Sequence, residues 1–394
     1  MLRCRPSWTG MSLGLLRISA ALAVVSGEQH FEYDQNLAKL SVVYSSAAYD
    51  QNPSVSGWSF VNPECNDKTK GFVLDETFVG DETEAFGYVG VDASEKRIIV
   101  AFKGTSDTRD WVTNLRTWVR YQEQCDPTRN PNTPTVTGAS AGGGSGLRLD
   151  ATAENGPSSD GEGEEERKFL LGNVHYGFCE YYQTLVAEGL ADRIQKLADY
   201  HPTFTIFVTG HSLGAAAAAV CATDLTQRLG IDGDRVVLYT LGEPRTGDGV
   251  FAMGLEEYVG TAYRIVHHKD VVPHLALCCH GWLGRCEANK GSCPYQHSTE
   301  IVYDNAMGPH DKWQACDDTV GEDYSCDPQA WDLSVADHLN YFQIAVGQYC
   351  NTAPEDLASF DEAQAADEEH WAEYDSVMYT EDERLRSEAG LLEA

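Results

Sequence analysis

The sequence is short of positive charge: 28 Lys and Arg stand against 61 Asp and Glu, a formal net charge of -33 over 394 residues. Like charges repel over roughly a Debye length of ~8 Å, which argues against nucleic acid and anionic lipid surfaces as partners. Much of that acidity sits in two segments of non-globular composition, so the folded body carries less of it. Beyond the N-terminal 27 residues, no stretch approaches the ~20 continuous apolar residues that a transmembrane helix requires. No transmembrane anchor is expected. The one Asn-x-Ser/Thr match, Asn52-Pro53-Ser54, is blocked by its proline, so no N-glycan is expected either. Paired Cys-x-x-Cys knuckles are also missing, which argues against structural zinc among the cysteines.

What is present begins with an export-like N-terminus. Arg3, Arg5 and Arg17 flank or interrupt the stretch Met11 to Val25, and small residues Ser26 and Gly27 follow it. Residues 1–27 therefore read as a signal peptide, with Met11 as an alternative start that would make Arg17 an ordinary leading charge. Twelve cysteines agree with a secreted, extracellular location, where thiols oxidise to structural disulfides. Cys278, Cys279, Cys286, Cys293, Cys316 and Cys326 crowd one polar region. The eleven cysteines left after signal removal cannot all pair, and Cys221, in an Ala-rich helical stretch, is expected to be a buried free thiol. Connectivity does not follow from spacing.

The length suits one main domain, residues 28–352, with appendages. From Phe72 to Phe102 the pattern alternates as neighbouring strands do. Residues 126–168 turn abruptly to Pro, Thr, Gly, Ser and Glu. Such a segment buries too little apolar area to offset chain entropy, so it is expected to be a disordered insertion. Gly177 to Tyr200 is apolar at helical intervals, and Thr203 to Thr209 reads as a buried strand feeding an Ala-rich helix from Ser212 to Leu229. Two further strands, Arg235 to Leu241 and Ala262 to Val266, each follow a helical stretch. That β-α-β-α-β order predicts an α/β fold with a mostly parallel central sheet flanked by helices. Residues 353–394 are dense in Asp and Glu and are expected to form a solvated tail.

Chemistry concentrates at Gly210-His211-Ser212-Leu213-Gly214, between an expected strand and an expected helix. A hydroxyl can be lifted into the open only at a turn so tight that side chains at its flanks would collide, hence glycine at 210 and 214. The helix that follows aims N–H groups at a developing oxyanion. Serine at neutral pH needs an imidazole to take its proton, and the imidazole needs a carboxylate to orient it. Asp270, just after a core strand, is the preferred acid, with Asp248 as the alternative. His338 is the preferred base, with His297 and His310 as rivals in the cysteine-rich region.

Taken together, these residues resemble the class 3, or fungal-type, lipase family of the α/β-hydrolase superfamily, over roughly Gln35 to Cys350. The resemblance is carried by Val100-Ala101-Phe102-Lys103-Gly104-Thr105, His175-Tyr176-Gly177-Phe178, Thr209 through Gly214, Gly242-Glu243-Pro244-Arg245-Thr246-Gly247, Arg264-Ile265-Val266-His267 with Asp270-Val271-Val272-Pro273, and Asp337-His338. It implies a triad of Ser212, Asp270 and His338, an oxyanion hole from Thr105 and the Leu213 N–H, and no metal or organic cofactor. It also implies a lid over Asp107 to Trp118, where Trp111, Leu115 and Trp118 share one face if helical. Cys316–Cys326 and Cys65–Cys350 are the disulfides it suggests. Three positions depart from the family: Lys103 replaces an arginine, Ala215 a glycine and Ala276 a proline.

The activity implied is hydrolysis of lipid or other carboxylic esters at a lipid–water interface, with a triacylglycerol lipase foremost. A phospholipase A1, a diacylglycerol lipase and a feruloyl-type esterase share the chemistry, and a non-catalytic binding protein on a hydrolase scaffold is the alternative from another class. Oligomeric state is not legible.

Overall fold

The computed structural model describes residues 32–50, 58–80, 84–105, 122–129, 171–276, 293–317 and 333–357, together with 278, 286, 288, 321–323 and 326. The signal-peptide assignment, the lid residues Trp111, Leu115 and Trp118, and most of the insertion and tail therefore lie outside the described residues. Four residues assigned to the insertion do belong to the body: Asp126 to Arg129 form a turn, and Gln183 Nε2 donates to Asp126 O at 2.7 Å. Likewise 354–357 are helical and Leu357 packs on the core, so the body continues past the expected boundary at 352.

The strands of the central sheet are β1 (Phe72–Val79), β2 (Phe86–Asp92), β3 (Arg97–Phe102), β6 (Thr205–His211), β7 (Val236–Leu241), β9 (Thr261–His267), β11 (Glu300–Tyr303) and β12 (Gln314–Ala315), in the order β1-β2-β3-β6-β7-β9-β11-β12. Strands β3 to β11 run parallel, while β1, β2 and β12 add antiparallel edges. Four short strands, β4 (Gln122–Gln124), β5 (Asn173–His175), β8 (Gly247–Asp248) and β10 (Pro294–Tyr295), make a separate small sheet.

Helices cover both faces. On one lie α1 (Gln35–Tyr49) and the short α2 (Pro63–Lys68); on the other α3 (Tyr176–Ala187), α4 (Leu190–Tyr200), α5 (Leu213–Gln227) and α6 (Gly249–Tyr258). The final helical turn, α7 (Val335–Leu339), follows the cysteine-rich region. Alternation within the strands produces the two-sided core: Ile98, Val100 and Phe102 pack on the α3–α6 side, whereas Ile99 and Ala101 pack on the α1 side. The same switch in β6 sends Ile206 and Val208 one way and Phe207 the other. Parallel strands buried on both faces explain why their sequences read as unbroken apolar runs.

The expected helix from Gly177 to Tyr200 is two helices, because Gly189 adopts φ 99° and ends the first. Helix α5 is buried nearly all round, from Gly214 to Thr226, and its run Ala215 to Ala219 keeps it thin enough to lie against the sheet. Disulfides join Cys65–Cys350, Cys125–Cys179, Cys278–Cys286 and Cys316–Cys326, and Cys293 is oxidised as well. Cys221 is buried and free, and burial pushes its thiol well above the usual range. Among the described residues, no helix is long and apolar enough to cross a membrane.

Candidate active site

The C-terminal ends of the parallel strands bring together the residues singled out from the sequence. Strand β6 ends at His211 and α5 starts at Leu213, leaving Ser212 alone in the turn at φ 61° and ψ -128°. That conformation costs a non-glycine residue about 1–3 kcal/mol, and it persists because both neighbours are fixed. The Ser212 N–H donates to Leu241 O at 3.0 Å. A Cβ at position 210 would strike the main chain of Gly214, and one at 214 would strike the Phe102 carbonyl, so the two glycines are needed for turn and helix to close on the sheet.

Asp270 stands beyond the end of β9, fully buried, and its carboxylate accepts from His338 Nδ1 at 2.9 Å. It also accepts from Tyr341 Oη at 2.5 Å and from the Val272 N–H at 2.8 Å. Burial alone would raise this carboxyl, but His338, Tyr341 and the Val272 N–H outweigh it and hold it below the usual carboxylate range. With Nδ1 donating, the other nitrogen of His338, Nε2, is left to accept a proton. Among the described residues, both Nε2 and Ser212 Oγ are buried and lack a hydrogen-bond partner. Two unsatisfied buried polar atoms are costly, about 1–3 kcal/mol each, and point to a site that a substrate completes.

Gly242, the residue after β7, makes the room. It adopts φ 56°, and a Cβ there would lie 2.6 Å from Asp270 Oδ2 and 2.8 Å from His338 Nδ1. His211 then ties the serine turn to the histidine: its ring stacks on that of His338 at 4.4 Å between centroids, and its Nε2 donates to His338 O at 2.7 Å. Its Nδ1 accepts from Tyr49 Oη at 2.8 Å, and Tyr49 is bonded in turn to the Gly104 main chain. Burial, reinforced by His338, lowers the His211 ring to about 3, so it stays neutral. Thr105 follows Lys103 and Gly104 at the end of β3 and is half-buried, as is Leu213, whose N–H opens α5 and has no intrahelical acceptor.

The rival residues serve elsewhere. Asp248 caps α6, accepting from Val250 and Phe251 N–H groups at 3.0 Å and from Asn173 Nδ2 at 2.7 Å. His297 Nε2 faces Glu243 Oε2 at 3.2 Å, and His310 is exposed. Burial alone would raise Glu243, but His297 and then Arg264 hold it below the usual range. This belongs to a set of buried charges that pins the loops behind the site: Arg264 reaches Glu300 at 2.8 Å, and Arg245 grips Glu322 with two contacts of 2.7 and 2.9 Å. Tyr341, His211 and Tyr49 were not singled out from the sequence. Only the i+3 spacing of Tyr341 from His338 and the place of His211 beside Ser212 could have drawn attention to them.

Residues 99–280 match the family model "Lipase (class 3)". A lipase of Rhizomucor miehei is 30% identical over 259 residues, covering 64% of this chain and 54% of that protein. The secreted mono- and diacylglycerol lipase 1 of Fusarium solani is 29% identical over 273 residues, covering 67% of this chain and 62% of its own length. The chain thus spans little more than half the length of these relatives. Among solved structures, the Rhizomucor miehei triacylglyceride lipase superimposes with a TM-score of 0.56 at 25% identity, covering 80% of this chain and 97% of that one.

Proposed function

We propose, from the match of residues 99–280 to the class 3 lipase family model and from the α/β-hydrolase fold, that the chain is a serine ester hydrolase acting on acylglycerols, foremost a triacylglycerol lipase. The observation that carries this reading is the buried relay Tyr341–Asp270–His338, with His338 Nε2 and Ser212 Oγ both unsatisfied at the same corner of the sheet.

In the proposed reaction, His338 Nε2 takes the proton of Ser212 as its hydroxyl attacks the ester carbonyl. The oxyanion is held by Thr105 and the Leu213 N–H. The tetrahedral intermediate collapses, His338 protonates the departing alcohol, and an acyl-serine remains. Water then attacks with the same base, and fatty acid leaves. Asp270 keeps the imidazole in the tautomer with Nδ1–H and stabilises its charged form.

The name of the Fusarium relative favours a second reading within the same chemistry, a preference for mono- and diacylglycerols. Secretion is proposed from the oxidised state of Cys65, Cys125, Cys278, Cys293 and Cys316, which calls for an oxidising compartment, together with that relative's name. Residues 1–27 are proposed as the export signal, 107–118 as a lid at the lipid–water interface, and the rest of 126–168 and of the tail beyond 357 as appendages to the catalytic body. A panel of emulsified triolein, diolein, phosphatidylcholine and a soluble short-chain ester tests the substrate class. Turnover of triolein above the others supports the reading, and no ester turnover by the secreted protein rejects it.

A further inference from the structure

We infer that His267 is a positioning residue that acts as an imidazolium, clamping the turn that carries His338. The functional consequence rests on the hydrolase reading above; the geometry does not.

The His267 ring is buried at the end of β9, and among the described residues each polar atom within hydrogen-bond reach of it is a main-chain carbonyl oxygen. Nδ1 lies 2.6 Å from Asn340 O and 3.0 Å from Asp337 O, and Nε2 lies 3.0 Å from Asn305 O. A carbonyl only accepts, and a neutral imidazole has a single N–H. One nitrogen of a neutral ring would therefore point its lone pair at an oxygen. Turning the ring over gives no relief, because it places carbon at both positions and forfeits all three bonds. Only the doubly protonated ring satisfies its surroundings. His211 shows the contrast: it meets one acceptor, His338 O, and one donor, Tyr49 Oη, so a neutral ring suffices there.

Three elements carry the charged and hydroxyl-bearing groups around His267. The chain just past its own strand supplies His268, Lys269 and Asp270; the end of β11 and the residue after it supply Tyr303 and Asp304; the final turn and hairpin supply Asp337, His338 and Tyr341. The Asp337 carboxylate takes the Lys269 N–H and His268 Nδ1, each at 3.0 Å, and Asp304 stands 3.4 Å from His268 Nε2. Asp270 lies beyond Tyr341, whose ring meets that of His267 edge-on at 5.7 Å.

The two carbonyls that Nδ1 binds bracket His338 in the chain, and the carbonyl of His338 itself is held by His211. Two imidazoles therefore fix the main chain of the turn while Asp270 fixes the catalytic ring. A ring with a single N–H would give up either the grip on the turn or the tie to Asn305.

The test is NMR of the full protein labelled with 15N in its histidine rings, near neutral pH, with the His267 signals identified by their loss in His267→Gln. Both nitrogens of His267 are expected to carry N–H, whereas His211 shows one protonated and one bare nitrogen; a bare nitrogen on His267 overturns the inference. Neutron diffraction from wild-type crystals reads the same two positions if the variant fails to fold. In kinetics on a soluble ester, His267→Phe is expected to lower kcat about 10- to 100-fold with KM within about twofold, and His267→Gln, which keeps N–H donors, to recover part of that loss. Wild-type kcat in His267→Phe overturns the positioning role. The charge state is read without turnover, so its failure is distinct from failure of the hydrolase reading, which Ser212→Ala tests.

Discussion

Tyr341 Oη donates to Asp270 Oδ2 over 2.5 Å, on the same carboxylate that holds His338. A buried carboxylate needs more donors than one imidazole provides, and the tyrosine and the Val272 N–H supply them. Burial keeps the Tyr341 phenol protonated, well above the usual tyrosine range, so it remains a donor.

Tyr341→Phe should therefore leave Asp270 under-coordinated without removing any reacting group. A hydrogen bond to a charged group contributes about 1.5–3 kcal/mol, so kcat should fall roughly ten- to a hundredfold with little change in KM. Steady-state kinetics on a soluble p-nitrophenyl ester checks this, and a variant with unaltered kcat would show that the tyrosine is dispensable.

Gly242→Ala should inactivate out of proportion to its size. The added methyl falls within 2.8 Å of both Asp270 and His338, at a residue held at φ 56°. Displacing the pair by a fraction of an ångström should cost about a hundredfold or more in kcat. Circular dichroism should still report a folded protein, and an alanine variant with full activity would mean that the pair sits elsewhere in solution.

Acid should destabilise the fold through two buried imidazoles. Burial lowers His175 to about 4, and burial with His338 lowers His211 to about 3. An unfolded histidine titrates near ~6.5, so between about 6.5 and 4 the unfolded chain binds protons that the folded chain refuses. Stability then falls as pH falls, by ~1.4 kcal/mol per pH unit for each such proton, and the His175 contribution levels off below about 4. In His175→Gln that slope should drop by one proton's worth. Urea unfolding with disulfides intact, from pH 7 to 4, measures it; identical slopes in both proteins would contradict the assignment.

Much of the site is legible in the sequence because it is local. Gly210, Ser212 and Gly214 meet within one turn, and the apolar run before them and alanines after them announce the strand and helix. Asp270 and His338 are different: their meeting depends on how β9 and α7 pack, and nothing near Asp248 or His297 in the chain says that one caps a helix and the other faces Glu243. The buried charges are hidden for the same reason. Arg264, Glu300, Arg245 and Glu322 read singly as surface residues, and only tertiary pairing lets them be buried. The stretch after Ser334 is a five-residue helical turn running into a tight hairpin at Asn340–Tyr341 and Ile344–Ala345. Tertiary ties on either side of His338, rather than helix propensity, hold that turn in place.

The central claim is that Ser212 is made nucleophilic by His338. A fluorophosphonate probe reacts rapidly only with a serine activated in that way. The wild-type protein is expected to label quickly and at Ser212 alone, while folded Ser212→Ala does not label and loses at least ~10⁴-fold in ester turnover. Rapid labelling of Ser212→Ala, or ester hydrolysis by it at the wild-type rate, would contradict the account.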